Sequence, residues 1–171
     1  MSKYIFLDID GVLNSLDDHY NVLKPEYKND FYLINEASFV EKKKLQMLHD
    51  LVYKTHAQVV GISTWFTSYE KNEIEKVIKL PVLDVVENSL SSDSRGFAIL
   101  DWLERHEYDH NRDYFVVLDD IQKRCFRYPK VYIQESIGLT KKGYEEAVMY
   151  LYKKQDIQIY KKLYISDEEA E

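Results

Sequence analysis

Two short apolar runs in this chain each stop at a pair of aspartates. Tyr4-Ile5-Phe6-Leu7 leads into Asp8 and Asp10 within the stretch FLDIDGVLN, and Tyr114 to Leu118 leads into Asp119 and Asp120. Short runs of β-branched and aromatic residues read as strands buried on both faces, the kind found in parallel sheets. Negative charges placed where such a strand stops need partners. That requirement constrains fold and function together.

The rest of the chain supplies the layers around such strands. Residues 16–37 show no sustained period and contain Pro25, so they read as a long excursion, a flap or loop rather than a core element. From Ser38 the pattern turns helical, with Ser38 as N-cap, Glu41 three residues on, and Leu45, Leu48, Leu51 and Val52 on one face. AQVVGIS, residues 57–63, is a second apolar run. A helix from Thr67 to Lys79 is expected after it, stopped by Pro81, and then VLDVV as a third strand. Ser94 to His106 reads as a helix with Phe97, Ile99, Leu100 and Leu103 as its apolar positions. VYIQ, residues 131–134, is the last strand expected, and Lys141 to Tyr152 the last helix. Strands alternating with helices predict an α/β fold, a mostly parallel sheet covered on both sides. The tail from Asp156 alternates apolar and polar residues, which reads as an edge strand or a loose arm ending in a disordered acidic SDEEAE. The expected division is a folded domain over 1–155 and an arm over 156–171.

Composition sets the bounds. With 171 residues, 45% of them hydrophobic and only 5 Gly and 3 Pro, the chain has enough for one sizeable core and little for disorder. A net charge of −7 disfavours wholesale attraction to nucleic acid or anionic membrane, while leaving room for a local basic groove. Cys125 is the single cysteine and has no intramolecular disulfide partner; the five histidines, His19, His49, His56, His106 and His110, show no metal-ligand spacing. No signal peptide precedes the first strand, and no run approaches the ~20 apolar residues of a membrane span. A cytoplasmic protein with no membrane partner is the expectation.

In an open parallel sheet, ligands bind in the crevice outside the carboxyl ends of the strands. Asp8, Asp10, Ser63, Asp119 and Asp120 would then meet in one place. Four carboxylates together cannot all stay ionised cheaply unless a cation neutralises them, and Mg²⁺ is the common choice where carboxylates share an ion with a phosphate. Chemistry then suggests the roles. One carboxylate can attack phosphorus, and a second can give a proton to the leaving oxygen and later take one from water. Gly11 permits a tight turn and can aim its amide at the transferring group. Ser63 offers a hydroxyl and Arg95 a cation to phosphate oxygens. Each also has a plainer reading: hydroxyl residues at strand ends serve turns, and an arginine opening an amphipathic helix is often only a solvated charge.

FLDIDGVLN, VVGIST, SRGFAILDWL and VVLDD resemble, in order, the four motifs of the haloacid dehalogenase (HAD) superfamily of aspartate-nucleophile phosphatases, over residues 4 to about 152. DGVLN, the tryptophan after the second motif, the helix at Arg95, the adjacent Asp119 and Asp120, and a late Gly138-Leu139-Thr140 are similar to its small capless branch. That branch includes the HAD domains of RNA repair proteins and the phosphatase half of phage polynucleotide kinase-phosphatases. The resemblance implies a Rossmann-like three-layer sandwich without a cap domain. It implies Asp8 as nucleophile, Asp10 as general acid and base, and Ser63, or Thr64 in its stead, as phosphate ligand. Mg²⁺ would be held by Asp8, Asp119, Asp120 and the backbone carbonyl of Asp10. Two positions depart from the pattern: Arg95 stands where a lysine is usual, and Phe66 follows Trp65 where relatives often carry arginine. An open, capless site suits phosphorylated nucleic-acid ends or nucleotides, and aromatic residues of the flap could stack on a base. The same chemistry on small metabolites or phosphoproteins, or a catalytically weak binding module, are the alternatives.

Overall fold

The computed structural model describes residues 1–87, 95–121 and 129–168, and side chains as far as residue 162. Five parallel strands form the central sheet: β1 (Lys3–Leu7), β4 (Gln58–Gly61), β5 (Val82–Val85), β6 (Tyr114–Asp119) and β7 (Lys130–Tyr132), in the order β5-β4-β1-β6-β7. The chain moves outward from β1 to β4 and β5, then crosses back to β6 and β7. The order therefore reverses beside β1, and at such a switch point the loops separate and leave a crevice. Leu7 pairs with Leu118, and the Asp8 amide donates to the Leu118 carbonyl at 2.9 Å. Register alone thus brings the two acid-ended strands to the same level.

Alternate residues of β1 enter two different cores, as the two-residue period of a strand requires. Ile5 and Leu7 join Val59, Val116 and Leu118 under the helices α2 (Lys42–Thr55), α4 (Lys71–Ile78) and α6 (Lys141–Tyr150). Tyr4 and Phe6 join Val60, Phe115 and Val117 against α5 (Arg95–Arg105), where Trp102 packs edge-on to both rings of β1. The result is the three-layer sandwich that the strand and helix alternation predicts. Among the described residues no large cap domain intervenes, and no helix is long and apolar enough to cross a membrane.

Four expectations need correction. The excursion over 16–37 is structured: α1 (Leu16–Asn21), a single 3-10 turn (Pro25–Tyr27) and β2 (Phe31–Asn35), which pairs antiparallel with β3 (Ser38–Glu41). Ser38 is consequently a strand residue, and the N-cap of α2 is Glu41, whose carboxylate accepts from the Lys44 amide at 3.2 Å. Burial decides this, because Phe39 and Val40 are worth more inside the fold than Ser38 is as a cap. The helix expected over 67–79 is two pieces, α3 (Trp65–Ser68) and α4, broken at an extended Tyr69; Glu70 restarts it through a reciprocal capping box with Glu73. Finally, the tail is a helix, α7 (Ile157–Glu168), rather than an edge strand. Ile157 is buried with the α5 core and Tyr160 packs against it, three residues apart on one helical face. Ser94 and Cys125 lie outside the described residues.

The flap is tied down by charge. Lys44, itself buried, reaches Asp18 of α1 at 2.8 Å and Glu41 at 3.1 Å, while His19 meets Phe39 edge-on. These contacts hold α1 on the side of the sheet where the aspartates emerge.

Candidate active site

Asp8 follows β1 directly and is buried. Its Oδ1 accepts from the Ile9 amide at 2.8 Å, its Oδ2 accepts from Arg95 Nη1 at 3.0 Å, and the nearby Ser63 side chain favours its ionised form. Asp119, at the end of the neighbouring strand, is 0% exposed; its Oδ2 accepts from the same Arg95 nitrogen at 2.9 Å, and its Oδ1 takes the Ile121 amide at 3.0 Å. Arg95 is 3% exposed, so the bridge it makes is no solvated surface pair. Burial works against its charge, and Asp119 and Asp8 more than offset that.

Oxygens of Asp8, Asp119 and Asp120 all lie within 4.8 Å of one another. Burial, and next the Asp119 carboxylate, push Asp8 up to about 7 in spite of Arg95. Burial, then Asp119 and Glu135, push Asp120 up to about 6. Among the described residues one arginine faces the cluster, and it leaves the three acids short of positive charge. Three hard oxygen donors with that deficit fit a divalent cation, which favours the ionised form of each.

The other expected residues fall into place unevenly. Ser63, rather than Thr64, meets Asp8; Thr64 is exposed and opens α3 without a side-chain cap bond. The Asp10 carboxylate is not in the cluster of three. Its Oδ1 accepts from Asn14 Nδ2 and its Oδ2 from Trp65 Nε1, both at 2.9 Å. Gly11 has φ +75, and its amide donates to Asn14 Oδ1 at 2.9 Å, so this N–H closes the turn. The positive φ favours glycine here, and so does Asp120, whose Oδ2 lies 2.2 Å from where a Cβ would sit. Phe66 is a packing residue. Its ring lies over Gly61, 2.3 Å from where a Cβ would be, and packs with the core beneath β4. Sequence reasoning missed Asn14 as a partner of Asp10 and Glu135 as a neighbour of Asp120. The only signal for Asn14 was its place in DGVLN, four residues after the acid.

Two predictions arise here. Gly11→Ala displaces the Asp120 carboxylate and is expected to weaken Mg²⁺ or Mn²⁺ binding by about 10–100-fold, the scale for losing a group that orients a ligand, as read by calorimetric titration. Acids whose folded value lies above the unfolded one take up protons on folding, so Asp8 and Asp120 lower stability as pH rises from about 4 toward 7. A bound cation holds them ionised and reverses that slope. Mg²⁺ is therefore expected to raise the melting temperature more at about pH 7.5 than at about pH 5. An equal rise at both would contradict a carboxylate site.

A parallel sheet whose switch-point strands deliver two buried aspartates, bridged by one basic side chain beside a strand-end serine, has the architecture of the HAD class. A family model for the HAD domain in Swiss Army Knife RNA repair proteins matches residues 4–143, and the chain belongs to that family. Neither a curated protein nor a solved structure matches it.

Proposed function

We propose that the chain is a Mg²⁺-dependent phosphomonoesterase working through an aspartyl-phosphate on Asp8, with phosphorylated nucleic-acid ends or nucleotides as substrate. The observation that carries this is the close group of buried Asp8 and Asp119 and half-buried Asp120, with Arg95 bridging the first two. A site built only to bind an anion would not gather three carboxylates, whereas a carboxylate nucleophile that must approach a phosphate needs both a cation and a basic group to offset repulsion.

Asp8, Asp119 and Asp120 would hold the ion, with the Asp10 carbonyl as a further donor; it would supply charge neutralisation of the phosphoryl oxygens. Ser63 orients a phosphate oxygen. Arg95 keeps Asp8 and Asp119 apart in charge and aims the Asp8 oxygen. The bond from Asp8 to phosphorus forms as the ester bond breaks, and Asp10 gives its proton to the leaving oxygen. Asp10 then takes a proton from the water that attacks phosphorus, releasing inorganic phosphate and regenerating Asp8.

The nucleic-acid preference is supported by the family, whose members are RNA repair proteins, and by the absence of a large cap among the described residues. Phosphate release from 3′- and 5′-phosphorylated oligonucleotides, a mononucleotide, a sugar phosphate and a phosphopeptide, with Mg²⁺ and with EDTA, tests it. Metal-dependent release greatest on the oligonucleotides is expected. Preference for the sugar phosphate or phosphopeptide would overturn the substrate class and leave the chemistry standing. No release from any of them, with Mg²⁺ bound, would favour a binding module.

A further inference from the structure

Asp10 is exposed, yet it is gripped from both sides by donors that are not. Asn14 is 1% exposed and Trp65 4%. The Asn14 carboxamide is fully committed: its nitrogen donates to Asp10 and to the Phe39 carbonyl, each at 2.9 Å, and its oxygen accepts the Gly11 amide. An acceptor on one side and a donor on the other fix its orientation. Trp65 packs edge-on against Tyr69 with ring centres 5.9 Å apart. The Tyr69 hydroxyl meets Ser38 Oγ and Asn35 Nδ2, both at 2.8 Å. Both donors thus lead back to the hairpin of β2 and β3, at Phe39 along one route and at Asn35 and Ser38 along the other.

An N–H bond to each oxygen of a carboxylate sets its plane and leaves each oxygen a second lone pair to carry a proton. A side chain needing only burial or charge balance would require neither donor. We infer that Trp65 and Asn14, braced by the β2–β3 hairpin, are positioning residues that aim Asp10 at the leaving oxygen and at the attacking water. The inference rests on the reading of Asp10 as acid and base given above. The two proton transfers are those already written, from Asp10 to the leaving oxygen and from water to Asp10.

Such a role shows itself in the leaving group. An alkyl phosphate ester departs as an alkoxide that needs the proton; p-nitrophenolate departs without one. Trp65→Phe keeps an aromatic ring and removes the N–H. It is expected to lower kcat/KM about tenfold or more on a 3′-phosphorylated oligonucleotide, a part of the 10²–10⁴ typical of a whole acid catalyst. The burst of p-nitrophenol from p-nitrophenyl phosphate should keep its rate within about twofold, because phosphorylation of Asp8 from this ester needs no proton. Tyr69→Phe, which loses only a hydroxyl, is expected to show the same selectivity at a smaller size and serves if the tryptophan variant does not fold. Equal losses on both esters, or none on either, would overturn the bracing role. Asp10→Asn separates the two failures: if it too lacks leaving-group selectivity, the acid and base assignment itself is wrong.

Discussion

Asp8→Asn is expected to abolish metal-dependent phosphate release, with a loss of roughly 10⁴-fold or more, the scale seen when a nucleophile is removed. The substitution is nearly isosteric, so packing at the end of β1 survives. What the proposed mechanism loses is the electron pair that would attack phosphorus, since a carboxamide oxygen is a poor nucleophile. The fold should not suffer. Asp8 is a buried acid pushed up to about 7 by burial and by Asp119, so its ionised form is a burden near neutral pH. Asparagine removes that burden while Arg95 still pairs with Asp119. In EDTA at about pH 7.5 the variant should therefore melt at or above the wild-type temperature. Loss of activity accompanied by a lower melting temperature would point to a structural role for Asp8 instead.

Arg95→Met should be the most damaging change to stability. Its guanidinium is 3% exposed and faces two carboxylates, and removing one partner of a buried ion pair typically costs about 3–5 kcal/mol. The cost should shrink toward about pH 5, because protonation of Asp8 then removes one of the stranded charges. Arg95→Lys should behave differently. Both ion-pair contacts to Asp8 and Asp119 come from the single nitrogen Nη1 at 3.0 and 2.9 Å, a geometry that an ammonium can reproduce. The lysine variant is expected to keep the fold and most of the activity, whereas the methionine variant keeps neither. Denaturant unfolding across pH, together with phosphate release, checks both.

The site was legible where chemistry coincides with a strand end. Asp8 and Asp119 terminate apolar runs, and once the sheet is parallel their register follows from Leu7 opposite Leu118. Arg95 was legible as the first residue of a periodic helix, although its direction toward the acids was not. What the sequence hides are contacts closed by folding. Asn14 meets Asp10 only because the turn at Gly11 folds back, and Trp65 meets it from 55 residues away. Ser38 misled because a serine before a charged run carries a cap signal, and only the pairing of residues 38–41 with 31–35 shows it to be strand. The tail misled for a related reason. Ile157 and Ile159 suggest a two-residue period, yet Ile157 is buried and Ile159 is 56% exposed, which fits a helix laid along α5 with Ile157 and Tyr160 facing inward. Phe66 could not be placed by analogy, since a residue that replaces a cation need not occupy the cation's position.

The most direct measurement is to mix the protein and Mg²⁺ with an oligonucleotide whose terminal phosphate is radiolabelled, quench in acid within one turnover, and map the label on the chain. A phosphoryl group stable in acid, released by hydroxylamine, confined to the peptide containing Asp8 and missing in Asp8→Asn is the predicted result. Phosphate release with no labelled protein at any quench time, at a rate unchanged in Asp8→Asn, would contradict it.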